Sequence, residues 1–130
     1  MSRVVYLDSS ALVKLVVREQ ESDVLRRHLI GRSGVTSALA RTEVVRAVLD
    51  AGDSALAAAR TVLRAVEIVR LDDSVLDAAA ILRPAVVRSL DAIHLATARL
   101  LGDDLTELVT YDRRMGEAAL GMGIRVIAPR

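Results

Sequence analysis

The sequence has no cysteine, phenylalanine or tryptophan, and only two tyrosines, two prolines and one lysine. The missing cysteine excludes a disulfide framework, a thiolate metal site and a cysteine nucleophile. Aromatic residues make up 2% of the chain (Tyr6 and Tyr111), too few for the stacking platforms on which OB-folds and RRMs hold single-stranded nucleic acid. Lys14 is the sole lysine among 18 basic residues, which removes most lysine-dependent chemistries. No apolar run approaches a membrane span, and the N-terminal MSRVVYLDSS lacks signal-peptide organisation, so a cytoplasmic protein without membrane contact is expected. What is present is a chain of 130 residues, 52% hydrophobic. It is long enough for one core and too apolar for intrinsic disorder, so a single domain over 1–130 is expected.

Short apolar runs alternate with helical periodicity. Val4-Val5-Tyr6-Leu7 reads as a buried strand ending at Asp8, with Ser9 or Ser10 capping the helix that carries Leu12, Leu15 and Val16. Helices are expected over 22–30, 38–51 (stopped by Gly52), 54–65, 89–101 and 112–120, and from Asp72 to a break near Pro84. Strands are expected over 34–37, 67–71, 108–111 and 125–128. Five strands separated by helices predict an α/β fold, a doubly wound parallel sheet of about five strands with helices on both faces.

Ligands of such sheets bind beyond the carboxyl ends of the strands. Asp8 and Asp112 are expected at that edge, although an Asp in this position also serves as a helix cap. Glu43 falls beside the apolar stripe of its helix, with Leu39, Ala40, Val44 and Ala47 as neighbours. A carboxylate there needs a partner, and Arg46 at i+3 offers a purely structural one. Asp91 lines up with Leu95 and Ala98, or lies in a first helical turn where the dipole favours it. Four carboxylates converging on one edge persist only beside a compensating cation, and an all-oxygen set suits Mg²⁺ or Mn²⁺. Such an ion polarises phosphate and activates water, which is phosphodiester chemistry. Setting these four aside leaves 18 basic against 13 acidic residues, a surround of +5 fitted to a polyanion.

At these residues the sequence resembles the PIN-domain ribonucleases, in particular the VapC-type toxins of toxin–antitoxin pairs. The resemblance rests on Tyr6-Leu7-Asp8-Ser9-Ser10-Ala11-Leu12-Val13-Lys14-Leu15, Thr36-Ser37 with Glu43, Ser89 to Ala98 around Asp91, and Leu108-Val109-Thr110-Tyr111-Asp112. These pieces occur in family order across nearly the whole chain. The resemblance implies a Mg²⁺- or Mn²⁺-dependent endoribonuclease acting on an RNA substrate, a homodimer neutralised by a cognate VapB-type antitoxin. It also implies that Asp8, Glu43, Asp91 and Asp112 form the acidic quartet, with Asp8 and Asp91 as principal metal ligands. Ser10 and Thr110 correspond to hydroxyl residues near the family's metal site, with a helix cap and an ordinary strand residue as the alternatives. His94 reads as packing or as support for the carboxylates. Lys14, Arg18, Arg46, Arg113 and Arg114 are candidates for phosphate contact, and His28 is expected at the surface. Two other readings are a PIN-like module that binds RNA or a partner without cutting it, and another Mg²⁺-dependent phosphoryl-transfer domain. A receiver would need a late lysine, and a haloacid-type phosphatase would need Asp-x-Asp where this chain has Asp8-Ser9-Ser10.

Overall fold

In the computed structural model, which describes residues 3–130, the β-branched run Val4–Leu7 forms β1 and turns at Asp8 into α1 (Ser9–Val16). There follow α2 (Ser22–Leu29), β2 (Ser33–Ser37), α3 (Ala40–Val48), α4 (Asp53–Ala65) and β3 (Glu67–Val69). The chain continues with α5 (Asp73–Ala80), α6 (Ser89–Leu100), β4 (Leu105–Val109), α7 (Arg113–Gly121) and β5 (Val126–Ile127). The strands form one parallel sheet in the order β3-β2-β1-β4-β5, the doubly wound arrangement expected from the alternation.

Side chains of successive strand residues point to opposite faces, so β1 feeds two cores. Val4 and Tyr6 pack with α5, α6 and α7, whereas Val5 and Leu7 pack with α1 to α4. Strand order reverses between β1 and β4, and a crevice at the carboxyl end of the sheet is expected there. Asp8 and Asp112 follow these two strands.

Several boundaries differ from the sequence reading. α1 is capped by neither serine: Asp8 has the extended backbone, and its side chain accepts from Ala11 N. The helix expected over 38–51 is α3 followed by a 3₁₀ turn at Leu49–Ala51, and α5 ends at Ala80, well before Pro84. β4 begins at Leu105 rather than at residue 108, because Glu107 lies inside it, opposite Val5 of β1. That carboxylate is buried and accepts from Arg32 Nη2 at 3.2 Å and from His28. His28 is therefore half-buried and paired, not a surface residue.

Burial pushes the Glu107 carboxyl up, but the donors on His28 and Arg32 outweigh it and hold the group below its ordinary value. A depressed carboxyl contributes stability above its unfolded-state pKa and loses that stability as pH falls through its folded-state pKa. Glu107→Gln is expected to lose about 1–3 kcal/mol at neutral pH. It should also flatten the acid-side fall of the thermal midpoint below about pH 4.3. Melting curves of both proteins across that range check this, and parallel pH profiles would refute it. Among the described residues no helix is long and apolar enough to cross a membrane.

Candidate active site

Each of the four carboxylates singled out in the sequence sits at a helix N-terminus. Asp8 caps α1 and Asp112 caps α7, while Glu43 and Asp91 lie in the first turns of α3 and α6. The positive ends of four helix dipoles thus accompany the negative side chains. The cap and the functional readings of Asp8 and Asp112 do not compete, since one oxygen serves the cap and leaves the other for further contacts.

Asp8 is 3% exposed, and three donors hold it. Oδ1 accepts from Ser10 Oγ at 2.7 Å and from Ala11 N at 3.1 Å, and Oδ2 accepts from the Thr110 hydroxyl. Ser10 also accepts from Tyr111 N at 2.9 Å, and Thr110 accepts from Asp112 N at 3.0 Å. Ser10 and Thr110 therefore tie the end of β1 to the end of β4. Ser10 is not the cap of α1, and Thr110 has left the strand that precedes it. Burial pushes the Asp8 carboxyl above its ordinary value even against these donors.

Glu43 is positioned by the turn after β2, where Ser37 Oγ accepts from Leu39 N. Its partner is not Arg46. Glu43 Oε1 accepts from Ser9 Oγ and from His94 Nε2, both at 2.6 Å. The imidazole is buried between this carboxylate and Tyr6, whose hydroxyl lies 2.6 Å from Nδ1. With Nε2 donating to a carboxylate, Nδ1 is the acceptor for the tyrosine proton. Burial raises Glu43, but the bonds from His94 and Ser9 prevail and leave its carboxyl below the ordinary value. The site thus drives two carboxyl groups in opposite directions.

Asp91 and Asp112 meet through a residue absent from the sequence-derived set. Arg88 Nη2 lies 2.8 Å from Asp91 Oδ2 and 3.1 Å from Asp112 Oδ2, and its Nε donates to Asp91 as well. The signal for Arg88 was its spacing, three residues before Asp91 at the mouth of α6, but no local pattern reveals the second carboxylate. Ser9 and Tyr6 were missed for the same reason, because Ser9 bonds Glu43 directly and Tyr6 acts on it through His94, both across long separations in sequence.

The cationic candidates fare unevenly. Lys14 is bound to Glu21 at 2.6 Å and lies over the Tyr111 ring, and Arg18 pairs in bidentate fashion with Asp23. Arg113 bonds Glu117, whereas Arg46 and Arg114 are exposed. Arg114 lines a groove beside Asp91 together with Arg83 and Arg88.

Among the described residues, no three carboxylates or imidazoles are grouped closely enough to form a ready-made cation site. Each acidic side chain is instead compensated by a protein donor, as mutual repulsion requires. The donor set nevertheless fits a hard divalent ion. It is all oxygen, and two of its carboxylates already converge on a single positively charged nitrogen.

Comparison with known proteins shows the family and the fold. The family model described as "PIN domain" matches residues 5–120. The chain is 58% identical over 126 residues to Ribonuclease VapC46 of Mycobacterium tuberculosis (strain ATCC 25618 / H37Rv), covering 96% of this chain and 97% of that protein. Its fold is similar to the crystal structure of Mycobacterium tuberculosis VapC20, a Sarcin-Ricin loop cleaving toxin, with TM-score 0.75, 17% identity and coverage of 96% and 99% of the two chains. A toxin–antitoxin complex from Klebsiella pneumoniae gives TM-score 0.73 at 22% identity, covering 97% of this chain and 98% of that one. PIN-domain ribonucleases generally use divalent metals, the class of ion this donor set suits. The family model over residues 5–120 and the 58% identity over nearly the whole length of both proteins show that this chain, with its parallel sheet reversing between β1 and β4, belongs to the PIN-domain family.

Proposed function

We propose that the carboxyl edge of the sheet is the active centre of a metal-dependent endoribonuclease, the toxin of a toxin–antitoxin pair. The observation that carries this reading is the convergence of Asp91 and Asp112 on one cationic nitrogen, at the point where strand order reverses beside Asp8. The 58% identity to a named ribonuclease supports it. Asp8 and Asp91 are the principal ligands for Mg²⁺ or Mn²⁺, and Glu43 and Asp112 complete the set. When bound, the ion supplies Lewis-acid polarisation of the scissile phosphate and charge compensation for the departing oxygen.

The chain's own residues prepare that event. Ser10 and Thr110 fix both oxygens of Asp8, and the Tyr6–His94–Ser9 network fixes Glu43. Both donors to Glu43 use Oε1, which leaves Oε2 to take the proton of an attacking water. Water attack on phosphorus with departure of the 3′ oxygen leaves 5′-phosphate and 3′-hydroxyl ends. A cognate VapB-type antitoxin with a basic tail suits the acidic edge and blocks it. The protein acts in the cytoplasm as a homodimer, and its 130 residues form a single domain.

The test is RNA cleavage by the purified protein with Mg²⁺, Mn²⁺ or EDTA, beside Asp91→Asn. Discrete fragments that require the metal and disappear in the folded variant are expected. Cleavage that persists in EDTA, or an Asp91→Asn protein as active as its parent, would overturn the reading.

A further inference from the structure

We propose that Arg88 is an exchangeable internal counter-ion: its guanidinium neutralises Asp91 and Asp112 until a divalent ion takes them, then turns to hold a phosphate of the RNA strand. The inference rests on the metal-dependent nuclease reading and adds a specific residue to it. Arg88 occupies the position before α6 without capping it, and its side chain folds back over the first turn. One nitrogen of its fork touches a carboxylate from each of two helices, at 2.8 and 3.1 Å. The contact is not locked in by packing, because the side chain is 55% exposed. A divalent ion and this guanidinium compete for the same Oδ2 atoms, so binding of one weakens the other.

The displaced side chain has a destination. It borders a groove of about 640 Å³ that runs along Asp91 and is also lined by Arg83, Arg114, Val86, Ala118 and Glu117, whose carboxylate accepts from Arg113. Three arginines outnumber the one carboxylate there besides Asp91, Glu117, which is already paired with Arg113, and directly beside a proposed metal ligand they match the backbone of a strand whose next phosphate lies on the metal. Once freed, Arg88 is the closest of the three to Asp91 in sequence, and its planar fork suits a phosphate better than a point charge would.

The decisive measurement is calorimetric titration of the full chain with Mn²⁺ in the absence of RNA. Wild type is compared with Arg88→Gln and with Arg113→Gln, folding being verified by circular dichroism. Arg113 adjoins Asp112 in sequence but bonds Glu117, so it controls for the mere loss of a positive charge. Arg88→Gln is expected to tighten Mn²⁺ binding about 5- to 10-fold, and Arg113→Gln by less than about twofold. Equal changes in the two variants, or weaker binding in Arg88→Gln, would overturn the counter-ion role without touching the nuclease reading. Absence of Mn²⁺ binding in wild type and both variants would overturn the nuclease reading and this one with it. In the cleavage assay Arg88→Gln is expected to raise KM several-fold with kcat little changed. A fall in kcat at unchanged KM would overturn the phosphate role.

Discussion

Asp8→Asn is expected to lower kcat/KM for RNA by roughly 10³-fold or more, while the thermal midpoint stays constant or rises. The first half follows from removing a charged ligand from metal-assisted catalysis, a contribution of several kcal/mol at about 1.36 kcal/mol per tenfold in rate. The second half follows from burial. The Asp8 carboxyl is held above its ordinary value, so its ionised form is disfavoured by the surroundings that position it. A raised carboxyl pKa means that this stabilising contribution is present at low pH and is lost as pH rises through the folded-state value. Asparagine keeps the shape and accepts the α1 capping bond without carrying that charge. Differential scanning calorimetry beside the cleavage assay separates the two effects. A midpoint lowered by several degrees would show that the charge supports the fold, and would remove the argument that it is retained for catalysis.

Leu95→Ala is expected to cost about 2–5 kcal/mol of stability and to lower the midpoint by on the order of 10 °C. Leu95 is fully buried on α6, packed in the core that also holds Tyr6, Val35, Leu108 and Met115. The same helix carries Asp91 one turn before it and His94 immediately before it, so packing and catalysis share a single rigid element. Leu100→Ala, near the exposed end of α6, is expected to change stability by no more than about 0.5 kcal/mol. Urea unfolding of both variants gives the comparison. Equal effects would mean that α6 is not anchored by this face. Slower cleavage by Leu95→Ala, at a temperature where it remains folded, is expected from loss of carboxylate placement.

The sheet was legible because its strands are short β-branched runs bounded by helix starts, a pattern that local chemistry enforces. Asp8 and Asp112 were legible from their address after strands, and Glu43 and Asp91 from acidity beside apolar stripes. What escaped was non-local. The strand was expected to begin only after Glu107, because the groups that compensate this buried carboxylate, His28 and Arg32, lie far away in sequence. Arg46 looked like the partner of Glu43 because it is one turn along the same helix, but the buried imidazole of His94 needed an acceptor and reached it first. Asp8, Ser9 and Ser10 are all good cap residues, and only the backbone geometry selects among them. Arg88 showed one of its two carboxylates by spacing and hid the other.

The two outermost strands are the shortest: β3 spans Glu67–Val69 and β5 only Val126–Ile127. A border this brief offers few free backbone groups for another chain to extend in register. Lateral growth of the sheet, the usual hazard for a chain this rich in aliphatic residues, is thereby curtailed at both sides. Association through helices and loops is therefore favoured over the addition of a strand.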